Sequence, residues 1–247
     1  MIILKSREEI EKMNSANKIV AEALDVISEE IKEGVTTGDL DRIAEELILK
    51  RGGKAAFKGY RGYKHTLCTS INQEIVHGIP GKRAIKTGDI IGVDCGVLYK
   101  GFYGDMARTF PVGEITDAAK KLLRITKEAL NIGTGEAKVG NRLFDISAAV
   151  QKYVEANGFS VVRDFVGHGV GASLHEDPQV PNFGEAGTGV KLRPGMVLAL
   201  EPMVNSGGYK VKVLDDGWTV VTQDGGLSAH FEHSVAITEN GPLVLGK

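Results

Sequence analysis

Four carboxylates stand where strand-forming apolar residues are expected. Asp94 and Asp105 lie in IIGVDCGVLYKGFYGDMARTF, Glu201 in MVLALEPMV and Glu232 in SAHFEHSVAIT. The first stretch reads as a β-hairpin rich in Ile, Val, Tyr and Phe. Folded about Tyr99-Lys100, it sets Asp94 opposite Asp105, with Cβ atoms about 4.5–5.5 Å apart. A buried, unpaired carboxylate costs several kcal/mol, and the one basic residue beside these acids in their runs is Arg108. A lone acid in a strand most often faces solvent, but four placed alike argue otherwise. A multivalent cation turns their mutual repulsion into a shared ligand set.

The histidines extend that set. Of six, His168 sits between Gly167 and Gly169, His175 follows in LHEDP, and His77 lies in VHGIP. Glycines beside His168 let the backbone approach a ligand closely. Imidazole added to carboxylate brings Zn, Fe and Co into range and disfavours a purely structural Ca or Mg site. No second His follows Glu176 at the spacing of an HExxH zinc helix. Four carboxylates and one imidazole exceed what a single catalytic ion with an open position needs. They suit two ions bridged by shared carboxylates, as in a two-metal hydrolase. The substrate does not follow from the residues alone.

Helices and strands must hold these groups. Ser6-Arg7-Glu8-Glu9 is a capping box opening a helix to about Ile31, with Ile10, Met13, Ala16, Val20 and Leu24 on one face. Thr36 or Thr37 caps a second helix with Leu40, Ile43, Ala44, Leu47 and Ile48 inward, closed by Gly52-Gly53. Further helices are predicted from about Asp117 to Asn131 and from about Asn141 to Asn157. Strands fill Thr66 to Thr109 and the Gly-rich remainder. The triplet Leu40, Ile43, Leu47 echoes Leu143, Ile146, Val150, which the sequence alone reads more readily as two unrelated amphipathic helices. The class is α/β (α+β), one domain over 1–247.

Composition excludes several classes. The chain has 247 residues, 42% hydrophobic and 25% charged, with a net charge of −2. That is ordinary for a soluble globular protein and points to neither nucleic acid nor a membrane surface. No apolar run reaches membrane-spanning length, and the N-terminus lacks a signal-peptide core. Cys68 and Cys95 cannot build a disulfide framework. A cytoplasmic location is the simple expectation.

The order Asp94, Asp105, His168, Glu201, Glu232, with the surrounding stretches INQEIVHGIP, GVDCGVLYKGFYGDMARTF, VGHGVGASLHEDPQV, PGMVLALEPMV and DGWTVVTQDGGLSAHFEHSVAIT, resembles the metal ligands of the pita-bread metallopeptidases. The likeness is greatest to their type I methionine aminopeptidases and runs to about residue 240. It implies a curved antiparallel sheet in two pseudo-symmetric halves, with helices on its outer face. It implies two divalent ions (Co, Mn, Fe or Zn), with Asp105 and Glu232 bridging, His168 and Glu201 on the first and Asp94 on the second. A water between the ions is then the nucleophile, and the substrate's free amine binds the second ion. The same resemblance makes Glu201 the proton shuttle and has His175 stabilise the tetrahedral intermediate. His77 contacts the scissile amide or departing peptide. Tyr60, Tyr63, Cys68 and Trp218 line a methionine pocket, with Phe57 nearby. Leu174 stands where some relatives carry Phe, and Asn182 where many carry His; neither departure touches a ligand. A monovalent cation held with help from Asn72 and Ser228 is implied by some relatives. The expected partners are peptide and nascent-protein N-termini with a small second residue, met near the ribosome, for a monomeric enzyme. Two other readings compete: an X-Pro-cleaving peptidase of the same fold and a non-catalytic peptide-binding module.

Overall fold

The computed structural model describes residues 1–247. Four helices, α1 (Arg7–Glu30), α2 (Thr37–Lys50), α3 (Asp117–Glu136) and α4 (Leu143–Ala156), alternate with fifteen strands. In chain order the strands are β1 (Lys54–Ala55), β2 (Leu67–Ile71), β3 (Glu74–Val76), β4 (Ile90–Tyr99), β5 (Phe102–Pro111), β6 (Ser160–Val161), β7 (Gly167–Gly169), β8 (Glu176–Val180), β9 (Val197–Leu200), β10 (Met203–Asn205), β11 (Val211–Val213), β12 (Val220–Thr222), β13 (Ser228–His230), β14 (His233–Thr238) and β15 (Gly241–Val244). Every pairing is antiparallel. One ladder joins β1, β2 and β5 to β4; a second runs β15-β14-β9-β7-β8; two shorter ones run β13-β10-β6 and β11-β12-β3.

Local chemistry starts each helix. Ser6 Oγ accepts from Glu9 N–H while Glu9 accepts from Ser6 N–H, the capping box read from the sequence. Thr36 and Asp39 repeat it on α2. The inner faces of α1 and α2 bury Val20, Leu24, Ile27, Leu40, Ala44 and Ile48 against Leu67, Ile91, Val93 and Cys95 of the first ladder. In the other half, α3 and α4 bury Leu122, Ala129, Val150 and Val154 against Val161, Val204 and Ala229. Helix α3 runs one turn past the expected end at Asn131. Its Gly133 lies against α4, where an added Cβ would sit 2.8 Å from Val150 Cγ2, so close packing overrides the glycine's low helix propensity.

The helical echo marks two equivalent halves, one turn out of the register read from the sequence. Thr37, Leu40, Ala44 and Ile48 of α2 are buried as Leu143, Ile146, Val150 and Val154 of α4 are. Each helix start is bridged to a later segment, Thr36 to Ala84 and Arg142 to Lys191. Those segments lead into β4 and β9, which deliver Asp94 and Glu201. The halves are stitched between β5 and residues 230–234. Glu232 N–H donates to Ala107 O at 2.9 Å, Ser234 Oγ to Asp105 O at 2.9 Å, and His230 N–H to Thr109 Oγ1 at 2.9 Å.

The β4–β5 hairpin corrects the expected opposition of Asp94 and Asp105. Asp94 pairs with Ala107 and Asp105 with Gly96, so the two acids are diagonal neighbours on one face. The turn is the reason. It centres on Lys100 (φ 50) and Gly101 (φ 82), not on Tyr99-Lys100. Two successive positive φ values make the twist-compatible two-residue turn, and only glycine takes the second without strain. Sliding the pairing by two residues keeps both carboxylates on the same side.

Candidate active site

Asp94 and Asp105 come from β4 and β5, His168 from the centre of β7. Glu201 stands one residue past β9 and Glu232 one residue before β14, so both occupy strand ends where a side chain can turn toward the centre of the sheet. One ligand atom from each of Asp105, His168 and Glu232 lies within 4.8 Å of the others. His168 Nε2 is 3.8 Å from Asp105 Oδ2 and 3.7 Å from Glu201 Oε1. His77 (φ 60) follows β3, and His175 lies in the loop between β7 and β8.

The tautomer of His168 follows from its neighbour. Its Nδ1 is 2.9 Å from Gly169 O, and a carbonyl only accepts, so Nδ1 carries the proton and Nε2 offers a lone pair to the carboxylates. Metal-binding histidines commonly have this arrangement. The glycines beside it serve the sheet more than a ligand. A Cβ on Gly167 would overlap Ala199 O of β9, and one on Gly169 would overlap Asp177 O of β8, so both strands approach β7 closely.

Burial sets the protonation of the group. It pushes the Asp94 carboxyl up to about 7. Asp105 is raised well above its ordinary range by burial and then by Asp94. Glu201 is raised by burial, then by Asp94 and Asp105; Glu232 by burial, then by Asp105, Glu201 and Asp94. The same burial lowers His77 and His168. His175 falls to about 3, through burial, then His168, Arg61 and His77. Three imidazoles are therefore neutral beside four acids that repel one another. Asp94 Oδ1, Asp105 Oδ1 and Glu232 Oε1 are buried without a hydrogen-bond partner. Orphaned oxygens on mutually repelling acids, facing a neutral imidazole lone pair, fit divalent cations.

The twelve residues singled out from the sequence line one cavity of about 360 Å³. Its floor is Asp94, Asp105, His168, Glu201 and Glu232; its wall is the aromatic and thiol cup of Phe57, Tyr60, Tyr63, Cys68 and Trp218; His77 and His175 stand with them. Leu174 is buried in the cup with Phe57, Tyr63 and Cys68. The Tyr63 hydroxyl donates to Leu67 O at 2.8 Å, which leaves its ring for the pocket, edge-on to Trp218 at 4.9 Å. His175 stacks on Tyr60 at 5.1 Å and tilts on His168 at 4.1 Å.

Other expectations need correction or addition. Asn182 does reach a candidate ligand, since its Nδ2 donates to the Glu201 carbonyl at 3.0 Å. The side chains of Asn72 and Ser228 are engaged within the protein. Asn72 Oδ1 accepts from Ile90 N–H, and Ser228 Oγ bonds Val204 O and Asn205 Oδ1. His230 was not singled out, yet its buried Nε2 lies 3.9 Å from Glu201 Oε2. Its position two residues before Glu232 was the available signal. Arg61, Asp164 and Gln179 also line the cavity and carried no sequence signal.

A family model described as Metallopeptidase family M24 matches residues 11–239. The chain belongs to metallopeptidase family M24. It is 58% identical to a methionine aminopeptidase of Clostridium perfringens, over 99% of this chain and 98% of that protein. It is 54% identical to methionine aminopeptidase 1 of Bacillus subtilis, over 98% and 97%. The crystal structure of methionine aminopeptidase from Thermotoga maritima superposes with a TM-score of 0.99 at 51% identity, covering both chains fully. A prolidase from Pyrococcus furiosus matches at 0.80 and 27% identity, over 99% of this chain and 65% of that one. The M24 chain thus has the pita-bread architecture and is a metal-dependent hydrolase of the methionine aminopeptidase type. None of its helices is long and apolar enough to cross a membrane.

Proposed function

We propose that this chain removes N-terminal methionine with two divalent ions held by Asp94, Asp105, His168, Glu201 and Glu232, all within one catalytic domain. Asp105 and Glu232 would be shared by both ions, His168 and Glu201 would serve the first, and Asp94 the second. Co, Mn, Fe and Zn all suit this mix of carboxylates and one imidazole. When bound, the ions acidify a water and polarise the scissile carbonyl. Glu201 accepts the proton of the attacking water and passes it to the departing amine as the new C–O bond replaces the C–N bond. Neutral His175 donates an N–H hydrogen bond to the oxygen that gains charge. His77, held between Phe165 and Trp218, meets the amide nitrogen or the departing peptide.

The observation that carries this reading is that the aromatic cup and the carboxylate–imidazole floor are walls of the same cavity. An unbranched thioether fills an aromatic-lined gap well, and sulfur–aromatic contacts add to its affinity. His77 and His175 line the same cavity outside the cup, and a small second residue is the expected preference. The natural substrates are peptide and nascent-chain N-termini, met near the ribosome by a monomeric, cytoplasmic enzyme.

A competition assay read by mass spectrometry tests it. Metal-stripped protein reloaded with Mn or Co receives Met-Ala-Ser, Met-Lys-Ser, Leu-Ala-Ser and Ala-Pro-Gly together. Chelator-sensitive loss of Met from Met-Ala-Ser alone is expected. Cleavage of Ala-Pro-Gly instead would move the chain to the proline-specific branch, and no cleavage at all would leave a binding module.

A further inference from the structure

We propose that the buried Lys5–Glu176 ion pair is the device that positions His175. The two side chains are only 3% and 6% exposed. Lys5 Nζ donates to Glu176 Oε2 and to Ile3 O at 2.9 Å, while Lys5 N–H is tied to Gly195 O at 2.7 Å. Glu176 Oε1 accepts from Ser173 N–H at 3.1 Å. One carboxylate therefore joins the N-terminal segment to the loop that carries His175, and Glu176 is the residue directly after His175. Both of its oxygens are needed as acceptors. An amide supplies only one, so glutamine breaks one arm of the junction.

The loop is pinned at its other end as well. Tyr103 N–H, on the strand that carries Asp105, donates to Gly171 O at 2.9 Å. Gly171 has no room for a side chain, because a Cβ there would overlap Lys5 Cε and Glu176 Oε1. His175 itself has only ring-to-ring contacts with Tyr60 and His168 to hold its plane. Stacking sets the plane; the ion pair fixes the backbone from which the ring projects. Lys5 lies outside the cavity, so its effect on turnover passes through the loop.

This inference rests on the catalytic role given to His175 above. The test uses the Mn-loaded full chain, with kcat, KM and Mn affinity measured on Met-Ala-Ser. Lys5→Met keeps the apolar stem and removes the charge, leaving Glu176 buried and unpaired. It should lower kcat on the order of 10²-fold, the cost of about 1 Å of misplacement, with KM and Mn affinity little changed. Adding Glu176→Gln removes the stranded charge and keeps an acceptor for Ser173 but restores no link to residue 5, so kcat should stay low; full recovery would overturn the inference by marking the stranded charge, not the lost junction, as the cause. In a His175→Ala background Lys5→Met should cost nothing further, because the two act in one chain of effect. Unchanged kcat in Lys5→Met overturns the inference, and so does an equal loss in the His175→Ala background, which marks a general structural role. Full activity of His175→Ala alone would instead sink the role given to His175. Should Lys5→Met fail to fold, Gly171→Ala crowds the same pair and is read the same way.

Discussion

Gly104 is where the outer helix layer sets the position of Asp105, a proposed metal ligand. A methyl added there would sit 2.6 Å from Asn17 N and 2.7 Å from Ala16 C, both backbone atoms of α1. Ordinary carbon contacts need about 3.5–4.0 Å, so α1 and β5 must part by roughly 1 Å. The next residue is Asp105, whose N–H donates to Asn17 Oδ1 at 3.3 Å, and Asn17 is itself buried and bound to Met13 O. Gly104→Ala should therefore do two things. Overpacking costs about 1–3 kcal/mol, and at about 2–4 °C per kcal/mol for a chain of this size the melting midpoint should fall by roughly 2–12 °C. Moving Asp105 by about 1 Å should lower kcat on the order of 10²-fold and weaken Mn binding. Thermal melts, Mn titration and kcat on Met-Ala-Ser measure all three. Gly135→Ala is the control, because a Cβ on that exposed helical glycine meets nothing within 4 Å. It should raise stability by up to about 1 kcal/mol without changing kcat. A Gly104→Ala protein with parental melting, Mn affinity and turnover would refute the reasoning that α1 fixes Asp105.

Other outcomes follow from the site. Asp105→Asn should weaken Mn binding as well as turnover, since its unpartnered buried oxygen loses its charge; an unchanged Mn titration contradicts a bridging role. Glu201→Gln should cut turnover sharply while circular dichroism shows an intact fold, and full activity would remove Glu201 from the proton path. Trp218→Ala opens the cup beside Tyr63; losing about 1.5–3 kcal/mol of apolar contact should lower kcat/KM for Met peptides roughly ten- to a hundredfold, and an unchanged value would place the methionine elsewhere. In chelator-stripped protein the Asp94 carboxyl, raised by burial from 3.8 to about 7 in the folded chain, contributes stability that is present below about pH 4 and lost by about pH 7. The lowered histidines act in the opposite sense, so Asp94 is read by difference from Asp94→Asn. Between about pH 5 and pH 7.5 the stripped parent should lose stability relative to stripped Asp94→Asn, and urea midpoints that change equally in the two proteins would contradict it.

The candidate site residues and the local elements could be read along the chain. Acids inside strand-forming runs are costly unless something charged meets them, so Asp94, Asp105, Glu201 and Glu232 were legible as a group. Capping residues act over three or four positions, so the starts of α1 and α2 were legible at Ser6 and at Thr36 or Thr37, of which Thr36 is the cap. Tertiary structure decided what depends on contacts far apart in the chain. The hairpin register turned on which residue pair could take two positive φ values, and it moved Asp105 from opposite Asp94 to its diagonal. Helix α3 continued through Gly133 because α4 packs there. The true register of the two halves appeared only in which faces of α2 and α4 are buried. His230 left only its place two residues before Glu232 as a signal, and Lys5, bound to a glutamate 171 positions away, left none. An ion pair between distant residues is fixed by packing, and one-dimensional spacing does not encode it.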